Sequence, residues 1–477
     1  MRDRALELCV LGGGFTGVAA AIACLARIDV PFRLFVVEPG PALGRGLAFG
    51  GHHPLHLLNV RTRDLSIRAG QPGDFLSWAF RQLDQGENHA GLHEGLAHTF
   101  LPRQLFGEYV RQRFFEAVER RKDVELKLLT ATATSCGIDR GRFRIELDRG
   151  EPLSADAVIL ATAYGLSPSS ATGALPPYAA MAREDFVRAK SMALIGSGLT
   201  MVDVLLDARR EGFSGKAIVV SRRGQLPRPH APKGVVPQQI GLPRSKSILR
   251  LTAAVRIACE AAEAHGTPWQ AIMNGLRSSL QDIWQGLAVE EQSRFLCHVR
   301  PFWDAHRHRV PIEVHGRIQA ELAQGRAVLL RGHVTGVERR PDGFKLTLTR
   351  HGSLEPEALD ADLAFDCTGH APDLGSGLIQ GLIGNGFARP DPHRLGLAVE
   401  RNGQVLGADG CPKRGLFALG PLCQGSLWEI IGVPEIVAQA DQAAASIAAL
   451  YAPAEAAAPL APWPPLAPRD RRPRSRS

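Results

Sequence analysis

The chain has 477 residues, 45% hydrophobic and 22% charged, a composition of ordinary globular proteins that allows two or three lobes with substantial cores. Its formal net charge is +8, but five arginines after Tyr451 face only Glu455 and Asp470, which leaves +5 for the rest. That dispersed excess is not the basic stripe of a nucleic-acid binder, and no apolar run is long enough to span a bilayer, so neither partner is expected.

In chain order, residues 6–11 (LELCVL) read as a strand, residues 15–27 (FTGVAAAIACLAR) as an alanine-rich buried helix, and residues 32–37 (FRLFVV) as a second strand. Together they have the length of a mononucleotide-binding βαβ half. A loop-rich stretch runs from Pro39 to Leu101, followed by a helix over about 105–121 and strands near 124–130, 142–148 and 156–161. The βαβ pattern then restarts: strand 192–195 (MALI), helix 199–210, strand 216–220 (KAIVV).

Residues 245–299 read as a helical insertion. Ile248, Leu251, Val255 and Ala258 recur at helical spacing, and Thr267-Pro268-Trp269-Gln270 predicts the start of a helix with Ile272, Leu276, Leu280 and Ile283 on one face. Strands return near 327–330, 334–338, 343–349 and 362–367, and a last helix covers 434–450. The Ala/Pro/Arg-rich tail, 452–477, cannot bury enough apolar surface to order itself.

Eight cysteines are scattered without a CxxC pair, which argues against zinc or a dithiol centre and for a reducing compartment. The charged first residues lack the apolar stretch of a signal peptide, and a cytoplasmic protein is expected.

Gly12-x-Gly14-x-x-Gly17 sits between a strand and a helix, and Glu38 ends the next strand. Gly12 permits the turn, Gly14 lets a pyrophosphate approach, Gly17 allows close helix packing, and the helix N-terminus, with Phe15 and Thr16, offers free N–H groups. Glu38 can accept from an adenosine ribose. This pattern predicts a dinucleotide site but does not choose its ligand.

A second loop, Gly196-Ser197-Gly198-Leu199-Thr200, follows MALI, with Met201 at the third small position. In place of an acid, Arg222 and Arg223 follow its second strand. They can pair with a 2′-phosphate, so NADPH is favoured over NADH. Ala161-Thr162-Ala163 and Asp366-Cys367-Thr368-Gly369 end apolar strands, where ligands sit in such sheets and where the chain can cross between two domains.

These segments, with LGRGLAFG at 43–50, LLNVRT at 57–62, PRQLFGEYV at 102–110, WDAHRHR at 303–309, DCTGH at 366–370 and WEIIGVPEI at 428–436, resemble the poorly characterised bacterial FAD/NAD(P)-binding proteins over about residues 5–450. That family is similar in outline to flavin N-hydroxylating monooxygenases.

The resemblance implies an α/β chain with two Rossmann-like dinucleotide-binding domains. An FAD domain would span 1–188 and 360–451, and an inserted NAD(P)H domain 189–359. It makes the first ligand FAD, and places Thr368, Gly369 and Trp428 among cofactor-binding candidates. The last helix, after Trp428 and Glu429, could stabilise negative charge on a reduced flavin, although Trp428 also fits a core aromatic.

Two departures stand out. Gly420-Pro421 occupies the place of an expected aspartate, and Ala163 that of a glycine. His-x-His in WDAHRHR lacks the companions of a metal site, so no metal is expected.

The implied function is an FAD-dependent oxidoreductase that takes hydride from NADPH and passes electrons to oxygen or a small organic acceptor. A flavin N-hydroxylating monooxygenase and a regulatory flavoprotein with little turnover are the alternatives. No catalytic residue, substrate or oligomeric state is identified by the sequence.

Overall fold

The computed structural model of the protein describes residues 4–41, 43–50, 56–83, 94–164, 172–231, 235–369 and 373–451. The expected disordered tail lies outside them.

Two six-stranded sheets carry the fold. The first runs β14 (Gln404–Leu406), β15 (Pro412–Ala418), β7 (Ala157–Leu160), β1 (Leu6–Leu11), β2 (Phe32–Val37), β3 (Glu125–Leu129). All neighbours are parallel except the β14–β15 pair. The second runs β12 (Pro356–Ala361), β11 (Gly343–Arg350), β10 (Ala327–Arg340), β9 (Lys216–Ser221), β8 (Ser191–Ile195), β13 (Leu363–Asp366). Its β13–β8–β9–β10 core is parallel, and β11 and β12 are added antiparallel. A small antiparallel sheet, β4 (Ala133–Asp139), β5 (Arg142–Leu147) and β6 (Leu153–Ala155), leads into β7. This is a doubly wound α/β fold with two Rossmann-like units.

Parallel central strands are covered on both faces, which is why β1, β7 and β8 are almost continuously apolar. Helix α1 (Phe15–Arg27) is buried at every position from Phe15 to Leu25. Its alanines share one core with Ala440, Ala443 and Ala444 of the last helix, Val433–Tyr451, and with Phe106, Val110 and Phe114 of α2 (Arg103–Arg120). Small side chains let these helices pack closely, which explains the alanine-rich composition.

The structure corrects the sequence reading in three places. The resemblance puts residues 360–366 in the first domain, but β13 pairs with β8 from Leu363↔Met192 to Asp366↔Ile195 and so lies in the second sheet. The two strands expected at 327–330 and 334–338 are one strand, β10, with an irregularity between Val334 and Gly336. The helix expected from Thr267 is broken into Gln270–Gly275, a 3₁₀ turn at Leu276–Ser279, and Leu280–Gly286. The backbone at Gln238 packs on this break, so closely that a Cβ on Gly275 would lie 1.8 Å from its carbonyl oxygen. Ile272, Leu276 and Leu280 are still buried, as the periodicity requires.

Helix α3 (Leu199–Arg210), which follows the second glycine loop, is tied to the first unit by charge. Asp203 pairs with Arg103 of α2 at 2.8 Å and accepts from the Tyr178 hydroxyl at 3.2 Å; Asp207 meets His56 Nε2 at 2.5 Å. No helix among the described residues is long and apolar enough to cross a membrane. Asp203→Ala leaves Arg103 without its carboxylate in a largely dehydrated place, and should cost roughly 3 kcal/mol in urea unfolding. Glu338→Ala, which breaks an exposed pair with Arg340, should cost about 0.5 kcal/mol or less.

Candidate dinucleotide sites

The two glycine loops are geometric copies. Gly12 and Gly196 both have φ of +106°, a region that favours glycine. A Cβ on Gly12 would lie 2.4 Å from the Ala161 carbonyl oxygen, and one on Gly196 would lie 2.4 Å from that of Cys367. Each turn is fixed the same way: Gly12 N–H donates to Val37 O, and Gly196 N–H to Val220 O, both at 2.8 Å. The strand-ending segments flagged in the sequence, 161–163 and 366–369, are therefore the neighbours that each loop leans on.

The copies differ in their third small position. At Gly17 a Cβ would lie 1.8 Å from the Gly12 carbonyl oxygen, so no other residue fits there. Met201 is fully buried in the core of the second unit, so a side chain is accommodated at the equivalent place.

Around the first loop, Glu38 accepts the Gly13 N–H at 2.6 Å and the Gly40 N–H at 3.2 Å. These use two of the carboxylate's acceptor positions and leave others for a ribose hydroxyl. Gly14 is the N-cap of α1 and has no side-chain cap, so the first-turn N–H groups remain available to phosphate oxygens. The Phe15 ring itself is core, packing on Phe49 and Phe106.

Gly44 donates to Gly13 O at 2.7 Å, and Gly46 lies on Gly14. Between them Arg45 carries a buried Nε without an acceptor, a feature the sequence reading did not single out. Gly420, with φ of +67°, packs on Thr16: its Cβ would be 2.8 Å from the hydroxyl oxygen. Backbone contact thus stands where the expected aspartate would be. Ala163 adopts φ of +53°, retaining the glycine-like turn without the glycine.

Around the second loop, Gly198 caps α3 and a Cβ there would meet nothing within 4 Å. Gly196, Gly198, Leu199, Thr200, Arg222, Arg223, Thr368, Gly369 and Trp428 line one cavity of about 1160 Å³. Gly12, Gly14, Phe15, Thr16, Gly17 and Glu38 are not among its lining residues. Thr368 and Gly369 therefore stand beside the second loop, because β13 belongs to the second sheet. The Thr368 hydroxyl donates to Asp366 at 2.6 Å.

The same cavity is lined by nine arginines, at 61, 63, 103, 222, 223, 277, 300, 307 and 309, against Asp64, Asp203, Asp304 and Glu429. Burial, then the nearby Arg309, hold His230 neutral, with its pKa lowered to about 3. Its Nε2 therefore donates to the Asn59 carbonyl at 2.8 Å.

Two sequence segments 126 residues apart meet here. WDAHRHR lies on and just beyond the helix Arg300–Arg307, not on a strand, so His306 and His308 do not share a strand face. Its Trp303 Nε1 donates to Glu429 at 2.7 Å, and Arg307 pairs with the same carboxylate at 3.0 Å. Glu429 has φ of +67°, an unusual conformation for a non-glycine residue that these contacts hold in place.

Trp428 is committed to packing, stacked on Trp284 at 5.0 Å and edge-on to Phe295 at 5.2 Å. Arg277 pairs with Glu435 in the first turn of the last helix, so the helical insertion grips the 424–435 segment. No group of three or more metal-ligating side chains occurs among the described residues.

The fold and the paired loops define an α/β architecture with two dinucleotide-binding-type turns. Residues 9–165 match a family described as FAD-NAD(P)-binding. The reduced form of an ornithine hydroxylase from Pseudomonas aeruginosa superposes over 94% of this chain and 100% of its own, with a TM-score of 0.59 at 15% identity. An ornithine N-hydroxylase from Kutzneria sp. 744, with reduced FAD, NADP+ and L-ornithine, covers 94% and 98%, with a TM-score of 0.60 at 14% identity. The bacillithiol disulfide reductase of Bacillus cereus covers 94% and 99%, with a TM-score of 0.52 at 15% identity. No curated protein matches the sequence.

The duplicated turns make a selective prediction. Gly12→Ala should abolish the binding of one dinucleotide while leaving the other, and Gly196→Ala should do the reverse. Flavin content after gel filtration and calorimetry with NADP+ read the two separately.

Proposed function

We propose that the protein is an FAD-dependent oxidoreductase that takes hydride from NADPH and passes electrons to oxygen or a small organic acceptor. FAD would occupy the first loop, over residues Gly12, Gly14–Gly17 and Glu38, with Arg45 toward its pyrophosphate. The FAD-binding unit would comprise residues 1–188 and the chain beyond Cys367. NADPH would lie along Gly196, Gly198–Thr200 and Gly369, with its 2′-phosphate at Arg222 and Arg223. When bound, the flavin supplies the chemistry of accepting two electrons and a proton as hydride.

The carrying observation is the contrast between the copied loops: one turn is followed by Glu38, held on the loop's own N–H groups, the other by two arginines on a cavity wall. A carboxylate at the second position would repel a 2′-phosphate; arginines attract it. The remaining task of the chain is binding. Trp428, packed on Trp284 and Phe295, and Glu429, paired with Arg307, form part of the cavity wall.

The similarity in fold to amine N-hydroxylases and to a disulfide reductase supports either a hydroxylating or a reducing second half. A reaction that does not pass through a protein dithiol is favoured, because Cys367 is the single cysteine among the described residues lining the cavity and a dithiol needs two. Arg222→Ala combined with Arg223→Ala should weaken NADP+ binding roughly 10- to 100-fold while changing NAD+ binding little, as calorimetry with the two nucleotides would show. Equal loss for both nucleotides would remove the basis for the NADPH assignment.

A further inference from the structure

The cavity's own charges narrow the substrate. Arg309, at the end of WDAHRHR, lines the cavity and is only 5% exposed. Its Nη2 donates to Asn274 Oδ1 at 2.5 Å, while Nε and Nη1 are buried without an acceptor. Its guanidinium lies 5.9 Å from the Trp269 ring centroid.

A buried guanidinium is ordinarily matched by a carboxylate, because an unmatched charge in a dry place is costly. The charges around Arg309 are those of Arg307, Arg61 and Arg277, and two of these cations already hold carboxylates: Arg307 pairs with Glu429 and Arg277 with Glu435. Burial and repulsion from Arg307, Arg61 and Arg277 lower the Arg309 pKa to about 10, so it remains cationic at neutral pH. Arg61 donates to the carbonyls of His98 and Ala231, at 2.9 and 2.5 Å, which leaves its charge uncancelled by those bonds. The 2′-phosphate of the nucleotide is served elsewhere, by Arg222 and Arg223 at the end of β9.

We propose that the substrate carries an oxyanion, a carboxylate or a phosphate, and that Arg309 is the residue that receives it, with Asn274 orienting the guanidinium. The inference rests on the reading of this cavity as the place where a small substrate meets the cofactors.

The test uses oxidised, FAD-loaded protein and three probes in calorimetry: succinate, inorganic phosphate and uncharged succinamide. Saturable binding of succinate or phosphate, but not succinamide, is expected, and the anion that binds assigns the chemistry. Arg309→Met should weaken that binding roughly 10- to 100-fold. Asn274→Asp, which sets a carboxylate beside Nη2, should weaken it as well, and serves if the arginine variant does not fold. Failure of both anions to bind the unaltered protein, unchanged binding in the variants, or displacement of the anion by NADP+ would overturn the proposal. Anion binding through Arg309 in a protein whose flavin NADPH cannot reduce would instead sink the proposed function and leave this subsite standing.

Discussion

Everything in this fold hangs on the approach of a strand-ending carbonyl to the first glycine of each loop. Where Gly12 meets Ala161 and Gly196 meets Cys367, the space for a Cβ is taken by the neighbouring carbonyl. That contact sets the glycine at φ of +106°, turns the chain sharply off the sheet, and aims the N-termini of α1 and α3 along the ends of the parallel strands. A helix N-terminus with free N–H groups is the inexpensive way to hold a phosphate. Two such ends on one chain offer two places for a phosphate, with separate surroundings.

Those surroundings are built by contacts between the units. The carboxylates of α3 are spent on Arg103 and His56, so the helix that begins the second loop is fixed to the first unit rather than left to swing. Glu435 accepts Arg277 from the helical insertion, and Glu429 accepts Arg307 from the helix that follows it. Acid groups near the cavity are thus consumed in holding its walls together. The lining arginines without a carboxylate partner among the described residues, at 61, 222, 223 and 309, give it a positive interior suited to anionic ligands.

Local features were legible in the sequence because they need few residues. The strand, turn, helix and acid from Leu6 to Glu38 announce themselves within one stretch, and the second βαβ repeats them. What sequence reading missed depends on contacts made across the chain. Glu429 is flagged by its neighbour Trp428, but its partners Trp303 and Arg307 are more than 120 residues away. Residues 363–366 read equally well as a strand of either sheet, and only their pairing with β8 assigns them. The helix after Thr267 has faultless local signals, yet it gives way to a 3₁₀ turn after Gly275, where the distant Gln238 backbone packs on it. Arg309 looked like one more basic residue in WDAHRHR; burial without an acceptor sets it apart.

The most direct test of this account is an anaerobic titration of FAD-reconstituted protein with NADPH, followed by the flavin absorption spectrum. The account predicts full bleaching by one equivalent of NADPH per flavin and slower bleaching by NADH. A protein that takes up no FAD, or whose bound flavin stays oxidised with excess NADPH, would contradict it.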